Sequence, residues 1–150
     1  MNERTSVVPE TLRALSAKLV ALLEPREEIL EAYVFGSTAT GSATTHSDVD
    51  LAVYLADEPP ASPFGYAADL ASAVMRAVET NAADVIILNR ASPLVYHRVL
   101  RDGVRLLTRD LRATTTREGR ALSRYCDYVP QLAKIDAVHR ERIAAARFGR

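Results

Sequence analysis

Tyr33-Val34-Phe35-Gly36-Ser37 and, after ten intervening residues, Asp48-Val49-Asp50-Leu51-Ala52-Val53-Tyr54-Leu55 decide how this 150-residue chain is read. The run Ala32 to Phe35 is short, aromatic and β-branched, and it stops at Gly36-Ser37, which predicts a buried strand ending in a special backbone turn. From Asp48 onward, alternation places Asp48, Asp50, Ala52 and Tyr54 on one face of a second strand and Val49, Leu51, Val53 and Leu55 on the other. Two carboxylates at i and i+2 of a strand project to the same side. Between the two strands lies a small-residue stretch, Thr38 to Ser47.

Upstream, Leu12, Leu15, Leu19 and Leu22 recur at helical steps, with Pro9 at the first turn of the predicted helix. Downstream, Pro59, Pro60, Pro63 and Gly65 punctuate a loop. Leu70, Val74 and Val78 then mark an Ala-rich helix, Asp84 to Leu88 a third strand, and Asn89 its close. Ser92 as N-cap, Pro93 at N1 and Gly103 beyond the end bracket a helix over about 93–102, and Val104 to Leu107 reads as a brief strand. The remainder reads as two helices broken at Pro130, the first carrying Leu122, Tyr125, Cys126 and Val129 on an apolar stripe, the second Leu132, Ile135, Val138 and Ile143. Strands alternating with helices in this order imply an α/β (α+β) domain, a mixed sheet flanked by helices, with 111–150 as a helical extension of the same domain.

Composition bounds the function. A chain of this length buries enough surface for a core without disulfides, and with one cysteine, Cys126, it can form no internal bridge. No run of 18 apolar residues and no signal-like centre occurs, so a cytoplasmic protein without membrane contact is expected. Nineteen basic and nineteen acidic side chains argue against coating a nucleic acid directly. The balance hides a gradient: residues 1–50 hold four Lys/Arg against eight Asp/Glu, residues 111–150 nine against four.

Asp48 and Asp50 beside Gly36-Ser37 suit one job. Magnesium takes oxygen ligands and leaves positions open for phosphate oxygens, and two such ions can flank a phosphorus undergoing in-line displacement. Gly36 lets the backbone approach a phosphate closely, and Ser37 offers a hydroxyl and an N–H beyond the strand end. A two-metal site wants a third carboxylate from another element, and Asp84, an odd choice at the head of an apolar strand, is the candidate. At about 4 Å, each pair of carboxylates repels by about 4 kcal/mol at an effective dielectric of 20, so a cation or a proton has to stand between them. Near an attacking oxygen, Asp84 could also accept its proton. Blander readings fit other residues: His46 as a solvated loop residue, His97 and His139 without ligand-spaced partners, and Tyr66, Tyr96, Tyr125 and Tyr128 as packing residues before adenine-stacking ones.

From Tyr33 to about Val129 the chain resembles the minimal nucleotidyltransferase (MNT) antitoxins of HEPN/MNT toxin–antitoxin pairs, within the polymerase-beta-like nucleotidyltransferase superfamily. The resemblance rests on Tyr33-Val34-Phe35-Gly36-Ser37, Gly41, Ser47-Asp48-Val49-Asp50-Leu51-Ala52-Val53, Asp84 to Asn89, Pro93-Leu94, Val99 to Gly103 and Tyr125 to Tyr128. It implies that Gly36 and Ser37, with Asp48 and Asp50, bind the nucleotide; that Asp48, Asp50 and Asp84 are the catalytic, Mg2+-binding acids, with two ions; and that ATP is the substrate. It further implies transfer of AMP to a tyrosine of a cognate HEPN RNase toxin, in a hetero-oligomer with it. The residues leave two alternatives open, a non-catalytic antitoxin acting by binding and a small-molecule nucleotidyltransferase. Relatives often carry Gly-Ser-Arg-Ala-Arg-Gly, where this chain has Thr38 and Thr40, and often another Asp where it has Ile87; Arg90 or the basic tail is a candidate replacement for the missing cations.

Overall fold

β1 (Ile29–Phe35) has six of its seven residues buried, the pattern of a central strand covered on both faces. The computed structural model describes residues 10–41, 47–59 and 61–147; the expectations for Pro9 and His46 lie outside them. β1 pairs antiparallel with β2 (Val49–Leu55) on one side and with β4 (Val104–Thr108) on the other. β3 (Ala83–Ile87) lies parallel to β2, giving the order β3-β2-β1-β4. The sheet is mixed, as the alternation predicted. A parallel pair needs a crossover, and α3 (Tyr66–Val78) supplies it.

Two cores flank the sheet. On one face, α1 (Glu10–Leu23) and α3 press Leu12, Leu19, Leu23, Leu70 and Val74 onto Val34, Leu51 and Val53. Each such fully buried aliphatic side chain contributes roughly 1.5–3 kcal/mol. The other face carries Tyr33, Phe35 and Ala52, covered by Tyr96 and Val99 of α4 (Pro93–Asp102) and Ala121 of α5 (Leu111–Arg147). Ser92 caps α4 as expected, its hydroxyl accepting from the Val95 N–H at 3.3 Å. Gly103 closes it for lack of room: with φ at −85°, a Cβ there would lie 2.3 Å from the Val99 carbonyl and 3.2 Å from that of Val34. Asn89, in a 3-10 turn after β3, uses its amide to bridge the main-chain N–H and carbonyl of Leu55, both at 2.8 Å.

Two expectations need correction. Pro130 does not break the C-terminal segment, because α5 runs unbroken from Leu111 to Arg147. A proline inside a helix costs a hydrogen bond and a clash four residues back, at Cys126, and both positions are exposed, where water can serve the freed carbonyl. Cys126 is likewise exposed instead of packed. The buried seam follows Thr114, Glu118, Ala121 and Tyr125 at steps of three and four, and Cys126 stands 100° off it.

α5 is fastened to the sheet largely by polar groups. Glu31, fully buried in β1, accepts from Arg117 Nε at 2.8 Å. Glu118 accepts from the Tyr33 hydroxyl at 2.8 Å and pairs with Arg105, while Thr108 and Thr114 share a hydroxyl bond of 2.7 Å. The Arg117 guanidinium also lies 4.7 Å from the Tyr54 ring centre. Removing one member of a buried ion pair leaves the other charge uncompensated. Arg117→Met is therefore expected to lower unfolding free energy by roughly 3 kcal/mol in urea titrations; a loss below about 0.5 kcal/mol, the level of ordinary surface changes, would show that Glu31 finds compensation elsewhere.

Candidate active site

Phe35 ends β1 directly opposite Asp50, so the chain leaves the strand beside that carboxylate. Gly36, at φ 71°, turns it into a five-residue helix, α2 (Gly36–Thr40), capped by Gly41 at φ 77°. The predicted special turn is thus a left-handed glycine followed by one helical turn. Both φ values lie where a side chain is strained, and Gly36 is constrained in space as well: a Cβ there would sit 2.1 Å from Asp50 Oδ2. Asp50's carboxylate therefore rests against bare backbone at the start of α2.

Asp84 is paired in register with Asp50 across the parallel β2–β3 edge, and Asp48, the residue before β2, lies close enough for its charge to act on Asp50. Asp48 and Asp84 are exposed and Asp50 is half-buried. The fold thus gathers Gly36, Ser37, Asp48, Asp50 and Asp84, every predicted site residue, at one end of the sheet. The other named candidates lie elsewhere. Arg90 follows β3 at the opposite end, ion-paired with Glu58, so it cannot stand in for a cation near Ser37. Tyr66 bonds Glu28 at that far end, Tyr96 of α4 is buried against the sheet, and Tyr125 stacks on His97 with ring centres 3.6 Å apart.

Burial first, then the charges of Asp84 and Asp48, pushes the Asp50 carboxyl above its ordinary range. Three mutually repelling oxygen donors on a rigid edge are the donor set that hard divalent cations favour. As they stand, no three acidic, His or Cys side chains among the described residues converge tightly enough to coordinate a metal ion, so coordination would have to draw the carboxylates together. Sequence reading missed one contact. The Thr38 hydroxyl donates to the Asp48 carbonyl at 3.3 Å, a link between loop ends that spacing gave no reason to pair.

The sign of the Asp50 shift sets a pH dependence. An acid whose folded pKa exceeds its unfolded value favours the fold when protonated; that contribution is full below the ordinary value of 3.8 and is lost as pH rises through the raised one. Above that window, in the absence of metal, Asp50→Asn is expected to melt at higher temperature than wild type, and added Mg2+ to raise the wild-type Tm but not the variant's. Calorimetry across pH 4–8 checks this, and identical curves for the two proteins would contradict it. Gly36→Ala is expected to displace the Asp50 carboxylate and destabilise the turn by about 1 kcal/mol or more.

Among the described residues, no helix is long and apolar enough to cross a membrane. A search of curated proteins finds no sequence match. Several solved structures share the fold. One chain of a toxin–antitoxin complex crystallised with AMP-PNP superposes with a TM-score of 0.70 at 25% identity, over 83% of this chain and 98% of its own. A chain from a point variant of the MntA–HepT toxin–antitoxin pair gives 0.68 at 26% identity, over 82% and 96%. A third, from the complex of tri-AMPylated Shewanella oneidensis HEPN toxin with MNT antitoxin, gives 0.67 at 22% identity, over 85% and 98%. The family model described as polymerase beta, nucleotidyltransferase matches residues 17–112, more than half the chain and a span that includes all four strands, the Gly36–Ser37 turn and the three acids. The chain belongs to the polymerase beta nucleotidyltransferase family.

Proposed function

We propose that this protein is an antitoxin that transfers AMP from ATP to a tyrosine hydroxyl of a cognate HEPN-type toxin. The observation that carries the reading is the register pairing of Asp50 with Asp84, with Asp48 two residues upstream and Gly36 against the Asp50 carboxylate. The toxin–antitoxin complexes among similar structures, one holding AMP-PNP and one an AMPylated toxin, support the partner and the nucleotide.

Asp48, Asp50 and Asp84 would hold Mg2+, which supplies charge compensation to the α-phosphate and to departing pyrophosphate. Gly36 and Ser37 present main-chain N–H groups and a hydroxyl to the terminal phosphates without a side chain in the way. The acceptor oxygen bonds to the α-phosphorus as the bond to the β-phosphate oxygen breaks. Pyrophosphate leaves, and the hydroxyl proton passes to a carboxylate of the edge, for which exposed Asp84 is placed. Incubation with Mg2+, labelled ATP and the product of the neighbouring reading frame is expected to label that partner. Asp48→Asn with Asp50→Asn is expected to lower labelling by at least ~1,000-fold, the equivalent of several kcal/mol of lost charge stabilisation.

A specific observation favours a second reading, neutralisation by binding alone. Beyond Tyr125 the described part of α5 carries Val129, Ile135, Val138 and Ile143 on its surface, 40–60% exposed. Apolar side chains left this exposed along an otherwise solvated helix suit a protein partner. The same experiment separates the readings. Full neutralisation by the unlabelling double variant, abolished by Ile135→Asp with Val138→Asp, would establish binding in place of catalysis.

A further inference from the structure

We propose that Thr38 is a positioning residue that latches the Gly36–Ser37 turn to the acidic strand, an inference that rests on the site reading above. Asp48 stands just outside the sheet: β2 begins at Val49, whose N–H bonds Ala82 at 3.2 Å, and pairing with β1 ends at Asp50. The Asp48 carbonyl shares a planar peptide group with that N–H, so Ala82, the residue before β3, holds the group from one side. From the other side its oxygen accepts the Thr38 hydroxyl at 3.3 Å. Two residues earlier, Gly36 abuts the Asp50 carboxylate. A single turn of α2 thus touches both acids, Gly36 at the side chain of Asp50 and Thr38 at the main chain of Asp48, with Ser37 between them.

This arrangement fixes three groups relative to one another: the Ser37 hydroxyl, the Asp50 carboxylate and the Asp48 backbone from which its carboxylate hangs. Thr40 leaves the latch undisturbed, because its hydroxyl folds back onto the Gly36 and Ser37 carbonyls, each at 3.3 Å. A long cationic side chain at position 38 would provide charge but no short hydroxyl for the Asp48 carbonyl. Threonine at this place trades phosphate contact for geometry, and the cost of losing the latch is expected in the joint binding of metal and nucleotide.

The test uses the full chain without any acceptor, and titrates a non-hydrolysable ATP analogue at several Mg2+ concentrations by calorimetry. One exposed hydrogen bond is a modest constraint, so Thr38→Val is expected to weaken Mg2+-dependent binding by roughly 3- to 10-fold and to raise the Mg2+ needed for half-maximal binding. Thr38→Ser, which keeps the hydroxyl, is expected to bind like wild type, and both variants to retain the metal-free Tm. Should the valine lower Tm, Thr38→Ala provides the same comparison. Valine binding equal to wild type overturns the latch while leaving the site reading intact, as does serine failing alongside valine. Wild type that binds no analogue at any Mg2+ concentration overturns the site reading, and the latch with it.

Discussion

Repulsion among carboxylates that the fold will not let separate governs this molecule. Asp50 and Asp84 are held opposite one another by the β2–β3 ladder, and Gly36 fixes the other side of Asp50. β2 cannot give way, since β1 and β2 are packed between two cores whose members Val34, Leu51, Ala52 and Val53 are wholly buried, and β3 is the edge strand, held to it through Val85. Carboxylates drawn to about 4 Å repel by about 4 kcal/mol per pair at an effective dielectric of 20, large beside the 5–15 kcal/mol by which a domain is stable. Burial first, and then the charges of Asp84 and Asp48, push the Asp50 carboxyl above its ordinary range, and a proton or a cation would offset both. Hydrophobic packing thus holds Asp50 beside Asp84 in the ladder, the placement on which the proposed cation site relies.

The opposite end of the same strand solves its electrostatics within the chain. Glu31 is more deeply buried than any of the three edge acids, yet Arg117 reaches it from 86 residues away. One β1–β2 surface therefore carries a self-compensated charge at one end and uncompensated ones at the other. The compensated end anchors a helix. The uncompensated end, with Asp48 and Asp84 exposed, faces solvent. That contrast separates structural from functional charge more sharply than burial does, because burial alone would rank Glu31 first.

Local signals made most of this legible. Period-two alternation identified β2, cap residues bracketed α4 to the residue, and Asp within apolar strands marked Asp50 and Asp84 as residues that needed an explanation. What stayed hidden depends on partners distant in sequence. β1 begins at Ile29, not Ala32, because Glu31 is tolerable in a strand only once Arg117 is folded over it. Cys126 looked packed because it lies one residue from Tyr125, which does lie on the seam. Pro130 looked like a break because the rule against interior proline assumes a helix whose freed carbonyl has nowhere to turn, and there it faces water. The Thr38 link to Asp48 had no sequence signature at all, since a hydroxyl-to-carbonyl bond across a loop obeys no periodicity.

Threonines at 38 and 40 also bear on how a triphosphate is neutralised. Arg90 is tied to Glu58 at the far end of the sheet, and three arginines around the α4–α5 side of the sheet are ion-paired: Arg101 with Asp102, Arg105 with Glu118, Arg117 with Glu31. Drawing one of these three to a phosphate means exchanging one anion for another, and for Arg117 it also means stranding a buried carboxylate. Hydroxyls and main-chain N–H groups at the turn orient phosphate oxygens but bring no net charge. Under the proposed reading, divalent cations on Asp48, Asp50 and Asp84 therefore carry the larger share of the charge compensation. The mutual repulsion of the edge acids and the affinity they would have for a cation have a single origin.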